Sequence, residues 1–134
     1  MINFSQQPRT KPVQDGLVQG RHCVPCEGDI APLTKSDAEE TMKHVPGWAI
    51  ADDPPQSGRA GGMKISRDFV FKEFKEAMVF VNTVADIAEN EGHHPDISIS
   101  WNKVRLELST HAIGGLSTND FIVAAKVNAL NEKT

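Results

Sequence analysis

The chain has 134 residues, 39% of them hydrophobic and 24% charged, the balance of one folded domain rather than of a disordered tail. Its 18 Asp and Glu outnumber its 14 Lys and Arg, for a net charge of -4; it lacks the surplus of cations that phosphate-backbone binding requires, so nucleic acid is not an expected partner. No apolar run reaches the length a bilayer demands and no signal-peptide core opens the chain, so no membrane partner is expected and the cytoplasm is the default location.

Residues 1-33 mix Gln, Pro, Gly and scattered charge without an apolar period; they read as an irregular N-terminal extension to a domain spanning 34-134. The extension holds both cysteines, Cys23 and Cys26, in a CxxC beside His22. One pair supplies at most half of a four-cysteine zinc site, and Pro25 and Gly28 favour a loop over the strand-then-helix setting of a redox dithiol. Two thiols in an irregular leader is the plainer reading. The folded part opens at "LTKSDAEETMKHV", a short helix with Thr34 or Ser36 as N-cap and acids in its first turn, stopped by Pro46 and Gly47.

"GWAIADD" reads as a strand, and "AGGMKISRDFVF" as its hairpin partner, with Met63, Ile65, Phe69 and Phe71 on one parity and Lys64, Ser66 and Asp68 on the other. A long helix is expected from about Lys72 to Asn90. Phe74, Met78, Val81, Ala85 and Ala88 form one apolar stripe on it, and Phe80, Val84 and Ile87 a second beside the first. An arc that wide implies burial on two sides, against the sheet and against another subunit. Gly92 is placed to end this helix, so that His93 and His94 emerge where backbone carbonyls favour a cation, and Pro95 forces an extended path after them.

"DISISW" and "VRLELS" alternate apolar and polar residues around Asn102-Lys103, the loop of a tight hairpin in which Asn102 tolerates a positive φ. That register sets Trp101 opposite Val104, Ile99 opposite Leu106 and Ile97 opposite Leu108, with Trp101 in the core. Continued past Pro95, it sets His94 opposite His111. Three of the five histidines are thereby expected to converge at one end of the sheet. Ser117-x-x-Asp120 reads as a capping box opening a last helix, and Gly114 and Gly115 serve the turn before it.

Three readings of the histidine cluster stand side by side. It is a chance or structural grouping, a three-imidazole metal site, or a metal-free acid/base centre suited to proton transfer near neutral pH. The metal reading is weakened because neighbouring residues such as His93 and His94 project differently.

The spacing Glu89, His93-His94-Pro95, Trp101, His111, Asp120 resembles the signature of the pterin-4a-carbinolamine dehydratases, as do "GW" at Gly47 and Trp48, "WNKV", "THAIGGLSTND" and "FKEFKEAMVFVNTVADIAE". The resemblance covers about residues 34-130. It implies an α+β fold, with a four-stranded antiparallel sheet and about three helices packed on one face, assembled as a homodimer or homotetramer. It also implies a hydro-lyase that removes water from 4a-hydroxytetrahydrobiopterin to give quinonoid dihydropterin, in tetrahydropterin recycling linked to an aromatic amino acid hydroxylase, with no metal and no cofactor.

By position, the resemblance makes His93, His94 and His111 catalytic, with His94 as base and the other two as acids, and Glu89 the group that holds an imidazole in its working tautomer. Trp48, Pro95, Thr110 and Ala112 would contact substrate, while Ser117 and Asp120 are expected to be structural capping residues. Ile97 stands where many relatives carry an aromatic residue, which bears on pterin preference. Alternative expectations are a role in molybdopterin metabolism and a non-enzymatic dimerisation or binding module.

Overall fold

The computed structural model describes residues 31-55 and 61-132; the CxxC with His22, and most of the N-terminal extension, lie outside the described residues. The first element is helix α1, Lys35–Thr41. Thr34 begins it as expected, its hydroxyl oxygen accepting the Asp37 amide at 3.1 Å. A 3-10 turn, Met42–His44, continues it to Pro46.

Four strands follow: β1, Ala49–Asp53; β2, Gly62–Val70; β3, Asp96–Ser100; and β4, Lys103–Leu108. They form one antiparallel sheet in the order β1-β2-β4-β3. Helix α2, Phe74–Glu91, connects β2 to β3, and α3, Thr118–Glu132, closes the chain. Strand alternation separates the two sheet faces. Ile65 and Phe69 of β2 and Val104, Leu106 and Leu108 of β4 are buried, whereas Lys64, Asp68, Arg105 and Glu107 share the other parity.

The helices cover the apolar face. α2 buries Ala77, Phe80, Val84 and Ala88, and Phe80 stacks at 4.7 Å on Phe69 and 5.0 Å on Phe71. α3 is enclosed on nearly every side, with Phe121, Ile122, Val123, Ala124, Ala125 and Val127 all buried. The expected architecture of four antiparallel strands and three helices is the one found. The two α2 stripes differ: Phe80 and Val84 of the second are buried, whereas in the first only Ala88 is, with Phe74 and Ala85 exposed and Met78 and Val81 half-buried.

The hairpin register departs from expectation. Ile99 faces Val104 and Ile97 faces Leu106, so the turn residues are Trp101 and Asn102 rather than Asn102 and Lys103. The positive φ, +54°, falls on Trp101, which leaves the strand and is 67% exposed. Asn102 instead clasps the end of β2. Its carbonyl accepts the Phe71 amide at 2.8 Å, and its side-chain amide donates to the Phe71 carbonyl at 2.8 Å. Those two bonds outweigh the local preference that assigned Asn102 the left-handed position.

Two glycine pairs meet at the start of β2. A β-carbon on Gly62 would sit 2.1 Å from the Gly114 carbonyl oxygen and 2.9 Å from the Gly115 α-carbon, and Gly62 itself has φ +143°. The two backbones therefore touch where any side chain would part them. Gly62→Ala is expected to destabilise the fold by roughly 3 kcal/mol in urea unfolding. An unfolding midpoint equal to wild type would show that the two backbones do not depend on this approach.

Candidate active site

α2 ends at Gly92, whose φ of +68° turns the chain off the helix axis, while the amides of Gly92 and His93 both donate to the Ala88 carbonyl. That stop delivers the two adjacent histidines in different directions. His93 turns inward: its Nε2 lies 2.6 Å from Asp120 Oδ1, with 13% of its side chain exposed. His94 stays outside, its Nε2 2.5 Å from Glu89 Oε2, both partners being largely exposed.

The second half of the site is the segment from Thr110 to Asp120. Thr110 and Gly115 pair as an isolated bridge, closing a tight loop around the 3-10 turn His111–Ile113, and Gly114 completes it at φ +67°. Leu33, the last residue of the expected extension, is buried and donates its amide to the Leu116 carbonyl at 2.8 Å, so the end of that extension runs beside this loop. The Thr110 hydroxyl donates to Asp120 Oδ2 at 2.8 Å and lies 2.7 Å from the Ser117 hydroxyl. The Ser117 amide donates to the same Oδ2 at 2.9 Å, which is the reciprocal half of the expected capping box.

One carboxylate thus reaches both halves. Asp120 is fully buried, Oδ2 serving the loop and Oδ1 the His93 ring. The expected facing of His94 and His111 across an extended hairpin does not occur, since the β3-β4 ladder ends at Asp96 opposite Glu107. His93 and the residue before His111 are joined instead through Asp120. His111 and Ala112 are exposed on the loop, Thr110 is buried with its hydroxyl engaged, and Pro95 is half-buried.

Trp48 lies in the core rather than on an open surface. It is 6% exposed, meets Phe69 edge-on at 6.5 Å and donates its Nε1 hydrogen to Asn128 Oδ1 at 2.8 Å. The same oxygen accepts from Arg67, whose guanidinium stacks on Phe69 and passes over Gly47, where a β-carbon would lie 2.8 Å from Arg67 Cζ. The "GW" pair therefore has a packing reason. A cleft of about 550 Å³ beside the start of α2 and another of about 450 Å³ lined by residues of β2, β4 and β3 are not lined by histidine.

Sequence reasoning missed the contact of Asp120 with His93. The available signal was that a cap uses one carboxylate oxygen and leaves the other to find a partner. Among the described residues no group of three or more His, Cys, Asp or Glu side chains could hold a metal ion, and no helix is long and apolar enough to cross a membrane.

On the polar sheet face, Glu107 pairs with Lys64 at 3.1 Å and Arg105 at 3.3 Å. Arg105 also reaches Asp68 at 2.9 Å, and hydrogen bonding to Asp68 and then to Glu107 raises its affinity for its proton. Burial pushes the Glu107 carboxyl up, but Lys64 and Arg105 together outweigh it and hold the group below its ordinary 4.5.

The sequence profile of the family described as pterin 4 alpha carbinolamine dehydratase matches residues 31-130. A Nitrosomonas eutropha protein that provisionally carries the name pterin-4-alpha-carbinolamine dehydratase is 48% identical over 111 residues, covering 82% of this chain and 89% of its own. The mitochondrial pterin-4-alpha-carbinolamine dehydratase 2 of Arabidopsis thaliana is 44% identical over 112 residues, covering 82% of this chain and 57% of its own. A crystal structure of a transcriptional coactivator/pterin dehydratase from Brucella melitensis superposes with a TM-score of 0.61 at 33% identity, covering 74% of this chain and 97% of that one. The family match and these relatives place the chain among dehydratases, enzymes of the hydro-lyase class. The chain belongs to the pterin 4 alpha carbinolamine dehydratase family.

A carboxyl depressed in the folded state stabilises the fold above its ordinary value and loses that contribution as pH falls through the folded value. The stability of Glu107→Gln is accordingly expected to fall less steeply than that of wild type on acidification below pH 4.5. Chemical unfolding across that range checks this; parallel curves would remove Glu107 from the acid response.

Proposed function

We propose that this chain dehydrates 4a-hydroxytetrahydrobiopterin to quinonoid dihydropterin and water by histidine acid/base catalysis, without metal or cofactor, supporting tetrahydropterin recycling for an aromatic amino acid hydroxylase in the cytoplasm. The observation that carries the reading is the pairing of two adjacent imidazoles with two different carboxylates, Asp120 and Glu89, beside the loop that presents His111.

The reaction needs one proton delivered to the departing C4a oxygen and one removed from N5, a task for imidazoles in different protonation states. His94 serves as the base. A carboxylate offers only acceptors, so Glu89 on Nε2 holds the hydrogen there and leaves Nδ1 as the basic nitrogen. His93 and His111 serve as acids. Pro95, Thr110 and Ala112 border the substrate, and Thr110, whose hydroxyl and amide are both engaged within the fold, shapes that border. Trp48 supports the sheet from within the core, a change from the substrate contact expected of it.

Dehydration followed by absorbance is expected to slow by about 100-fold or more in His94→Ala. An equal rate in variant and wild type would defeat the reading, and stoichiometric zinc bound by the histidines would put metal chemistry in its place.

The uncovered α2 stripe of Phe74, Met78, Val81 and Ala85 supports assembly as a homodimer or homotetramer. Sedimentation equilibrium is expected to give a multiple of the chain mass, reduced by Val81→Glu. A wild-type monomer at micromolar concentration would overturn this.

A further inference from the structure

We infer that Asp120 is a positioning residue for the dehydration, setting the tautomer and ring plane of His93 and the placement of the His111 loop with one carboxylate. The inference rests on the reaction proposed above.

A helix cap alone does not account for this side chain. Capping α3 needs one acceptor oxygen at the Ser117 amide, and that role does not require burial. Asp120 is instead fully buried, an arrangement that is costly for a carboxylate unless its oxygens are matched by donors. Oδ2 takes two, the Ser117 amide at 2.9 Å and the Thr110 hydroxyl at 2.8 Å. Oδ1 is aimed at His93 Nε2, 2.6 Å away. The second oxygen contributes nothing to the cap, and its partner is one of the three histidines.

The chemistry follows from donor counting. A carboxylate only accepts, so the His93 nitrogen facing it carries hydrogen, which directs Nδ1 to the opposite side of the ring as the nitrogen that exchanges protons with a ligand. When His93 acts as the acid, Nδ1 gives its proton to the C4a oxygen, the carbon-oxygen bond breaks and water departs. The N5 proton passes to His94, and His93 is left neutral with its Nε2 hydrogen still on Asp120. Throughout, the carboxylate keeps its charge and the ring keeps its plane.

Thr110 extends the same control to the loop. Its hydroxyl is tied to Oδ2 and its backbone to Gly115, so the residue before His111 is held from both sides. The Glu89–His94 pair contrasts with this. With side chains 78% and 59% exposed, it sits in water, where such pairs hold geometry weakly. His93 is the fixed ring and His94 the movable one.

The test uses Asp120→Asn in the full-length protein. The cap still requires an oxygen, so the introduced side chain keeps its oxygen on the Ser117 amide and turns its NH2 group toward His93, where it donates to Nε2 and forces the ring hydrogen to Nδ1. Long-range nitrogen-proton spectra of His93, recorded where the ring is neutral, are expected to show hydrogen on Nε2 in wild type and on Nδ1 in the variant. Turnover is expected to fall by about 100-fold or more through kcat, with KM changed much less and the fold intact by circular dichroism.

Wild-type His93 with its hydrogen on Nδ1 would overturn the inference whether or not the protein is active. A variant with the inverted tautomer and wild-type kcat would overturn the positioning role and leave the proposed reaction standing. A wild type that shows the expected tautomer and does not dehydrate the carbinolamine would instead overturn the reaction, and the catalytic use of the pair with it. If D120N does not fold, the wild-type spectrum decides the tautomer by itself.

Discussion

The buried carboxylate of Asp120 is the constraint on which the histidine end of this molecule depends. Helix α3 begins there, the Thr110–Gly115 loop is tied there, and the ring of His93 ends there. Each contact alone is worth about 1.5 to 3 kcal/mol, the range for hydrogen bonds to a charged group. Their value lies in sharing one acceptor, because a shift in any one of the three segments would leave a buried charge short of a donor. Elements far apart in sequence are thereby held in one arrangement.

Close backbone packing complements that polar tie. Gly62 lets the first residue of β2 rest on the Gly114–Gly115 turn, so the loop bearing His111 is seated on the sheet as well as fastened to α3. The Arg67–Asn128–Trp48 group performs a comparable task farther along α3, joining the inner sheet face to the helix through a buried amide. Between these anchors the core is apolar, and dispersion and burial supply most of the stabilisation. Polar contacts are concentrated where geometry must be set.

The histidine pair shows how local and tertiary causes divide the work. Gly92 ends α2 and turns two adjacent residues to opposite sides, a consequence of backbone geometry within a few residues. The fates of the two rings then differ. His93 is taken up by a carboxylate from a helix that starts more than twenty residues later, while His94 pairs back onto α2 through Glu89. Neighbours in sequence become chemically unlike because only one of them points at the core.

Much of the architecture was legible in the chain itself. Apolar period placed the four strands and the long helix, Thr34 and Gly92 marked helix ends, and Ser117-x-x-Asp120 marked the start of the last helix, since each is decided by interactions within about one turn. The hairpin register was not legible. Asn102 was the residue locally suited to a positive φ, yet its bonds to Phe71 moved the turn and put Trp101 in the strained position. Trp48 could not be assigned from its neighbours either, because its partner Asn128 lies on the last helix. The helix and loop settings of the candidate histidines were thus determined by the sequence alone. Which carboxylate meets which imidazole was decided only by tertiary structure, because a side-chain oxygen pairs with whatever donor the folded chain brings within about 3 Å of it.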